Sequence, residues 1–172
     1  MERIASFQVN HDTLEPGVYV SRIDGDITTY DMRFIKPNTP PFLPNPVMHT
    51  IEHLFATYSR NSKYADKVIY FGPMGCRTGF YFLVRDMSQE DALELIKDTV
   101  FKCKNHTGEI PGNTAAECGN YKEHDFNGAI EALNKYYNKL KDLTVDNLSI
   151  INFENYCICC IICAVRFVLI TG

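Results

Sequence analysis

The sequence lacks the features that would direct it to a membrane, to secretion or to nucleic acid. Its apolar C-terminal run, residues 156–170, is about 15 residues long and contains Arg166, whereas a membrane span needs about 20 apolar residues. The N-terminus has no apolar stretch followed by a small-residue cleavage site, which predicts a cytoplasmic protein. The net charge is -4 and no basic stripe is present, so we expect neither a membrane nor nucleic acid as partner.

The seven cysteines do not form the pattern of a secreted disulfide framework. Cys76, Cys103 and Cys118 are far apart, while the other four crowd into residues 157–163. This distribution predicts a reducing environment. A chain of 172 residues can bury a core without disulfides, and we expect one domain at 1–150 and an atypical apolar, cysteine-rich tail at 151–172.

The role of this tail stays open at the level of sequence. It has three interpretations: an additional buried strand or helix, a segment at a membrane surface, or a translated fragment without a selected role. An exposed tail of this composition would promote aggregation.

Local patterns predict a mixed architecture. Alternating β-branched and aromatic residues predict four strands, at 17–23, 27–35, 68–71 and 79–85. Apolar residues at helical spacing predict three helices: one from Pro46 after an Asn45 N-cap, one from Ser88 to Lys102, and one at 127–142. We therefore predict an α+β fold, in which an antiparallel sheet carries helices on one face.

The first helix carries two histidines that can share a metal ion. His49 and His53 are four residues apart, so their side chains project about 40° apart around the helix. Together with the thiolate of Cys118 they would supply three ligands to a borderline transition ion and leave a fourth position open for water or substrate. Glu52 lies beside the second histidine and is a candidate acid/base.

Two other interpretations of this motif remain open. His49 and His53 are also compatible with ordinary histidines that merely share a helix face. The pattern His-x-x-Glu-His also occurs in inverzincin peptidases, in which Glu52 would be the general base and Glu117 the candidate third ligand. A noncatalytic metal-binding domain is a further alternative.

Cys76 lies in a glycine-rich loop, residues 72–79, between two predicted strands. It is either a small residue in a tight turn or an activated thiol that acts as nucleophile or proton carrier. Arg77 and a nearby cation would favour the thiolate electrostatically. Cys103 falls at the end of a predicted amphipathic helix and is expected to be structural.

Five motifs in chain order carry a family likeness. They are SFQVNH at 6–11, YDMRF at 30–34, HTIEHL at 49–54, PMGCRTGFY at 73–81 and ECG at 117–119. With these motifs the chain closely resembles the LuxS family of S-ribosylhomocysteine lyases, from about residue 3 to about residue 145. The tail matches nothing expected in that family.

The resemblance implies a bacterial, cytoplasmic, homodimeric carbon–sulfur lyase of the activated methyl cycle, with residues 1–150 as its metal-dependent lyase domain. Such an enzyme splits S-ribosylhomocysteine into homocysteine and 4,5-dihydroxy-2,3-pentanedione, the precursor of the quorum-sensing signal autoinducer-2. It carries one Fe(II) per subunit, replaceable by Zn(II) or Co(II).

The resemblance also assigns roles to individual residues. The metal ligands would be His49, His53 and Cys118, with water as the fourth ligand. Cys76 and Glu52 would be the catalytic proton carriers. Ser6, His11 and Arg33 would line the substrate pocket, with residues of both subunits meeting at the dimer interface.

Overall fold

The computed structural model describes residues 10–148. The predicted substrate residue Ser6 and the tail at 151–172 lie outside the described residues. Within the described range, no helix combines the length and the apolar character that crossing a membrane requires.

Four strands form one antiparallel sheet. They are β1 (Gly17–Asp24), β2 (Ile27–Arg33), β3 (Val68–Pro73) and β4 (Gly79–Arg85), in the spatial order β1-β2-β4-β3. The turn between the first two strands passes through Gly25, whose φ of 60° is a left-handed conformation that glycine adopts without strain. The predicted strands are thus present, with ends that differ by one or two residues.

Three helices pack together on this sheet: α1 (Asn45–Arg60), α2 (Gln89–Lys104) and α3 (Phe126–Leu140). The side chain of Ser88 accepts a hydrogen bond from the Asp91 N–H, which confirms the predicted cap of α2. The predicted cap of α1 is wrong by one residue. Pro44 occupies the N-cap position in extended conformation, so Asn45 already belongs to the helix and no side chain caps it.

The core lies between the helices and one face of the sheet. Val20, Tyr30, Phe82 and Phe71 lie opposite one another across the four strands, and all four are buried. The ring of Phe55, from α1, stacks on that of Phe71 with centroids 4.0 Å apart. Because α1 contacts β3 and both other helices, it is the element that holds the layers together. The α+β prediction, with helices on one face of an antiparallel sheet, is confirmed.

Gly79 sits where two strands approach each other too closely for a side chain. A Cβ atom at this position would overlap the main-chain carbonyl oxygen of Met32, whereas a Cβ at Gly75 would meet no atom within 4 Å. The glycine at 79 is thus required by the pairing of β2 with β4 rather than by a ligand.

We expect Gly79→Ala to lower the free energy of unfolding by about 1–3 kcal/mol, because the β2–β4 ladder must move to admit the methyl group. Gly75→Ala is the matched control and should change it by less than about 0.5 kcal/mol. Urea denaturation of both variants measures the difference. Equal midpoints would contradict the close approach of the two strands.

Candidate metal centre and active site

Helix α1 presents both predicted histidine ligands on one side. Its opposite side is fixed in the core by Ile51, Leu54 and Phe55, each fully buried. His49 and His53 therefore stand on rigid backbone, with ring centroids 4.7 Å apart and planes at 85°. The structure thus brings these two predicted ligands together.

The main chain fixes the orientation of both rings. The Nδ1 atom of His49 lies 2.9 Å from the carbonyl oxygen of Glu123, and that of His53 lies 2.7 Å from the carbonyl oxygen of Pro111. Since a carbonyl can only accept a hydrogen bond, each Nδ1 must carry the proton and donate it. Each Nε2 is left with a free lone pair, the form in which histidine binds a metal ion.

Cys118 reaches the same point from the loop between α2 and α3. Its Sγ lies 3.3 Å from Nε2 of His49, and it accepts a hydrogen bond of 3.4 Å from the main-chain N–H of Asn120. The thiolate is the form of cysteine that binds a metal ion.

A fourth residue, His124, belongs to this group, and the sequence analysis missed it. Its ring stacks on that of His49 with centroids 4.1 Å apart and stands nearly perpendicular to that of His53. One ligand atom from each of His49, His53, Cys118 and His124 lies within 4.8 Å of the others. His124 lies six residues after Cys118 in a loop, where no helical or strand periodicity marks a metal ligand. Its short distance in sequence from Cys118 was the only sign in the sequence that it could be one.

The surroundings of His124 keep its imidazole neutral. Burial is the largest cause that lowers the pKa of His124 to about 4, and the charges of His49 and His53 lower it further. Its Nε2 is a buried atom for which no described residue provides a hydrogen-bond partner. Imidazole nitrogens together with a thiol are a donor set that fits a borderline transition ion.

Glu117, the third ligand required by the peptidase alternative, is not part of the four-residue group. Its carboxylate instead accepts a hydrogen bond of 2.7 Å from the hydroxyl of Thr114 in the same loop. The neighbouring Cys118 occupies the position that this alternative would assign to Glu117. The described residues therefore give the peptidase ligand set no support.

Two cavities meet at the candidate acid/base. One, of about 290 Å³, lies between α1 and the loop after β3, and is lined by Met74 and Arg77 among others. The other, of about 480 Å³, lies on the side of Cys118. Glu52 and His49 line both cavities, so a molecule in either one contacts the carboxylate of Glu52 next to the metal ligands.

The predicted thiol carrier, Cys76, is exposed in the loop between β3 and β4. Its Sγ lies 3.0 Å from the hydroxyl of Thr78 and 3.9 Å from Nη1 of Arg33. Hydrogen bonds from the Arg77 N–H to the Met74 carbonyl and from the Met74 N–H to the Gly79 carbonyl, both of 2.9 Å, fix this loop. The thiol therefore has a defined position beside a guanidinium.

Arg33, which the family resemblance places at the substrate pocket, is buried and already paired. Its side chain is only 3% exposed and forms a two-point ion pair with Asp31 through Nε and Nη2. Burial raises the pKa of Asp31, while the charges of Arg33 and, less strongly, of His11 oppose that rise. One edge of the Arg33 fork is thus already occupied by Asp31, and the Nη1 side faces Thr78 and Cys76.

The substrate-binding roles of His11 and Arg33 stay predictions. Both lie near Asp31, whose carboxylate feels the charge of each. The structure therefore groups the predicted site residues into two sets, one of metal ligands with Glu52 and one around Cys76.

Comparison with known proteins gives a single family. A sequence model of the family described as S-Ribosylhomocysteinase (LuxS) matches residues 4–146. A protein named S-ribosylhomocysteine lyase from Finegoldia magna is 47% identical to this chain over 153 residues, which cover 86% of this chain and 97% of that protein. Proteins of the same name from Clostridium acetobutylicum and Borreliella afzelii are 46% and 42% identical, and the alignments cover 87% and 86% of this chain and 95% and 98% of those proteins.

The matched range is almost the same as the one over which the five motifs suggested a resemblance, and it includes every described residue of both sets around Glu52 and Cys76. The agreement of motifs, site geometry and whole-domain similarity leads to one conclusion: the chain belongs to the LuxS family of S-ribosylhomocysteinases.

Proposed function

We propose that this protein is an S-ribosylhomocysteine lyase that splits its substrate into homocysteine and 4,5-dihydroxy-2,3-pentanedione. The observation that carries the proposal is the placement of a carboxylate, Glu52, between a transition-metal ligand set and an adjoining cavity, in a chain of the LuxS family. The two products together contain all the atoms of the substrate, so the reaction consumes neither water nor an oxidant.

The chemistry explains why such groups are required. A thioether sulfur leaves readily only when it is bonded to the carbon β to a carbonyl. The sugar ring must therefore open, and its carbonyl must move along the carbon chain until it reaches that position. Each move takes a proton from a carbon next to a carbonyl and returns a proton to the neighbouring carbon, through an enediolate. The final step removes a proton and expels the sulfur as the thiol of homocysteine.

We assign the proton transfers at carbon to Cys76. Its thiolate would take a proton from one substrate carbon and deliver it to the next. The guanidinium of Arg33 lies 3.9 Å from the sulfur, so a positive charge adjoins the thiolate that this role requires. The hydroxyl of Thr78, 3.0 Å away, supplies a hydrogen bond to the same sulfur.

We assign the proton transfers at oxygen and the final elimination to Glu52, which faces both cavities. His49, His53 and Cys118 would hold the metal ion, which would supply Lewis acidity to the oxygens on which negative charge develops. We propose Fe(II) as this ion, one per subunit, with Zn(II) or Co(II) as substitutes. The product would serve as the precursor of autoinducer-2 in a bacterial cytoplasm.

We further propose that the protein is a homodimer formed through the sheet face that carries no helix. This face carries four large side chains, those of Tyr19, Tyr81, Leu83 and Tyr70. The strand register places them on one face, because Tyr19 and Tyr81 pair with Asp31, Leu83 pairs with Thr29, and Tyr70 pairs with Leu83. Tyr70 is 49% exposed, and the other three are half-buried. The same face carries Asp31 and Arg33 next to Cys76, so a second subunit docked there would enclose the thiol and complete the substrate pocket.

The activity is tested by release of homocysteine from S-ribosylhomocysteine by anaerobically prepared, Fe(II)-loaded protein. We expect Cys76→Ala to lower kcat by about 10²–10⁴-fold, the usual contribution of one proton carrier, without loss of bound metal. Cys103→Ala, which removes a buried thiol, is the matched control and should leave kcat unchanged. Absence of thiol release from folded, metal-loaded wild-type protein would contradict the proposed function.

The dimer interface is tested by Leu83→Asp, which places a charge on the helix-free face. We expect the dimer dissociation constant to rise about tenfold or more, because a charge buried in an interface loses its hydration. Phe101→Asp is the control, since Phe101 is 48% exposed on α2. Sedimentation velocity measures both, and an unchanged dissociation constant for Leu83→Asp would contradict the proposed interface.

A further inference from the structure

The hydroxyl group of Thr50 determines which nitrogen of His124 carries the proton. Thr50 Oγ1 donates its only hydrogen to the carbonyl oxygen of Pro46, one turn earlier in α1, at 2.8 Å. The same Oγ1 atom accepts a hydrogen bond of 3.0 Å from the main-chain N–H of Asp125 and lies 3.2 Å from Nδ1 of His124. In the arrangement in which Thr50 gives its hydrogen to Pro46, Nδ1 of His124 donates to Oγ1, and the proton of the neutral ring is on Nδ1.

This assignment leaves Nε2 of His124 as a pure acceptor. The atom is buried, and it has no hydrogen-bond partner among residues 10–148. A buried acceptor without a partner costs free energy, so the position calls for a donor during function. Two partners can use this lone pair: a metal ion, which would accept it directly, or an O–H group, which would donate a hydrogen bond to it.

The ring geometry argues against direct metal binding by His124 and His49 together. The two rings are stacked, 4.1 Å apart, with only 20° between their planes. An imidazole lone pair lies in the plane of its ring, and lone pairs in two nearly parallel planes cannot meet at one ion. The plane of His53, in contrast, stands at 85° to that of His49.

The position of Cys118 identifies which of the stacked histidines is the ligand. Its Sγ is 3.3 Å from Nε2 of His49. Bond lengths of about 2.0 Å to nitrogen and 2.3 Å to sulfur place two such ligands about 3.5 Å apart on a tetrahedral ion. His49, His53 and Cys118 therefore form the ligand set, and His124 lies directly beside it.

We propose that His124 is a substrate-positioning acceptor: its Nε2 receives the O–H of the sugar hydroxyl that enters the position left open by His49, His53 and Cys118. This inference rests on the proposed lyase function. It assigns the third histidine a role in holding one substrate oxygen in place. It also explains why Thr50 fixes the proton on the far side of the ring.

Two substitutions separate the two nitrogens of His124. His124→Gln places an amide oxygen near the position of Nε2 but loses the donor to Thr50. His124→Asn keeps an amide N–H near the position of Nδ1 but has no acceptor near that of Nε2. If the role is acceptance at Nε2, Gln preserves function and Asn does not.

The measurements are substrate affinity, turnover and the number of imidazoles on the ion. Binding of S-ribosylhomocysteine is measured by calorimetry in a metal-loaded Cys76→Ala background, in which turnover is slower by about 10²-fold or more. We expect the Asn variant to raise Kd about 10- to 100-fold, and the Gln variant to raise it by less than about threefold. With Cys76 intact, kcat/KM should follow the same order. X-ray absorption of the Co(II)-loaded wild type should count two imidazoles and one sulfur.

Three imidazoles on the ion would overturn the proposal, because His124 would then be a ligand. The proposal would also be overturned if the Asn variant bound substrate better than the Gln variant. The role of His124 would then be limited to the hydrogen bond between its Nδ1 and Thr50. These outcomes are distinct from failure of the lyase assignment, which is absence of homocysteine release by the wild type.

Discussion

The candidate site depends on one repeated interaction, the donation of Nδ1–H from each histidine to a fixed oxygen. The acceptors for His49 and His53 are main-chain carbonyls of the segment between α2 and α3, and the acceptor for His124 is the hydroxyl of Thr50. Each bond fixes both the rotation of a ring and the nitrogen that keeps its lone pair. Without these bonds the same three imidazoles would sample both tautomers, and the group would not be preorganised for an ion.

The fold supplies these acceptors from elements that are far apart in the chain. Helix α1 is held by its buried face, and the segment that carries Pro111, Cys118 and Glu123 returns across its other side. A second fixed arrangement lies at the end of the sheet, where the buried Arg33–Asp31 pair sits beside Cys76. A buried ion pair is costly to desolvate, and its position beside Cys76 places a guanidinium next to the proposed proton carrier.

Sequence patterns predicted the parts of the site that lie on regular elements. The four-residue spacing of His49 and His53 predicted that both rings lie on one side of α1, because helix geometry fixes the angle between two such positions. Site residues in loops were harder to predict, because no periodic pattern fixes where their side chains lie. Cys118 was named as a ligand from the chemistry of its thiolate and from the family resemblance. His124 was missed because it lies in a loop, and its neighbours in space, His49 and His53, are distant in sequence on α1.

The burial of Arg33 could not be predicted from the sequence, although its ion pair with Asp31 could. Asp31 lies two residues away on the same strand and therefore on the same face, so the pairing was available in the sequence. Nothing in the sequence, however, indicated that both side chains would be buried. The cap of α1 was misplaced by one residue because Asn45 and Pro44 are both compatible with a helix start, and only the backbone conformation distinguishes them.

The central claim, that fixed oxygens hold all three imidazoles with the proton on Nδ1, is tested most directly by long-range ¹H–¹⁵N NMR of the histidine rings in metal-depleted protein at pH 8. The account predicts that His49, His53 and His124 all show the Nδ1–H tautomer with an unprotonated Nε2. A protonated Nε2 on His49 or His53, or rapid exchange between tautomers, would contradict it.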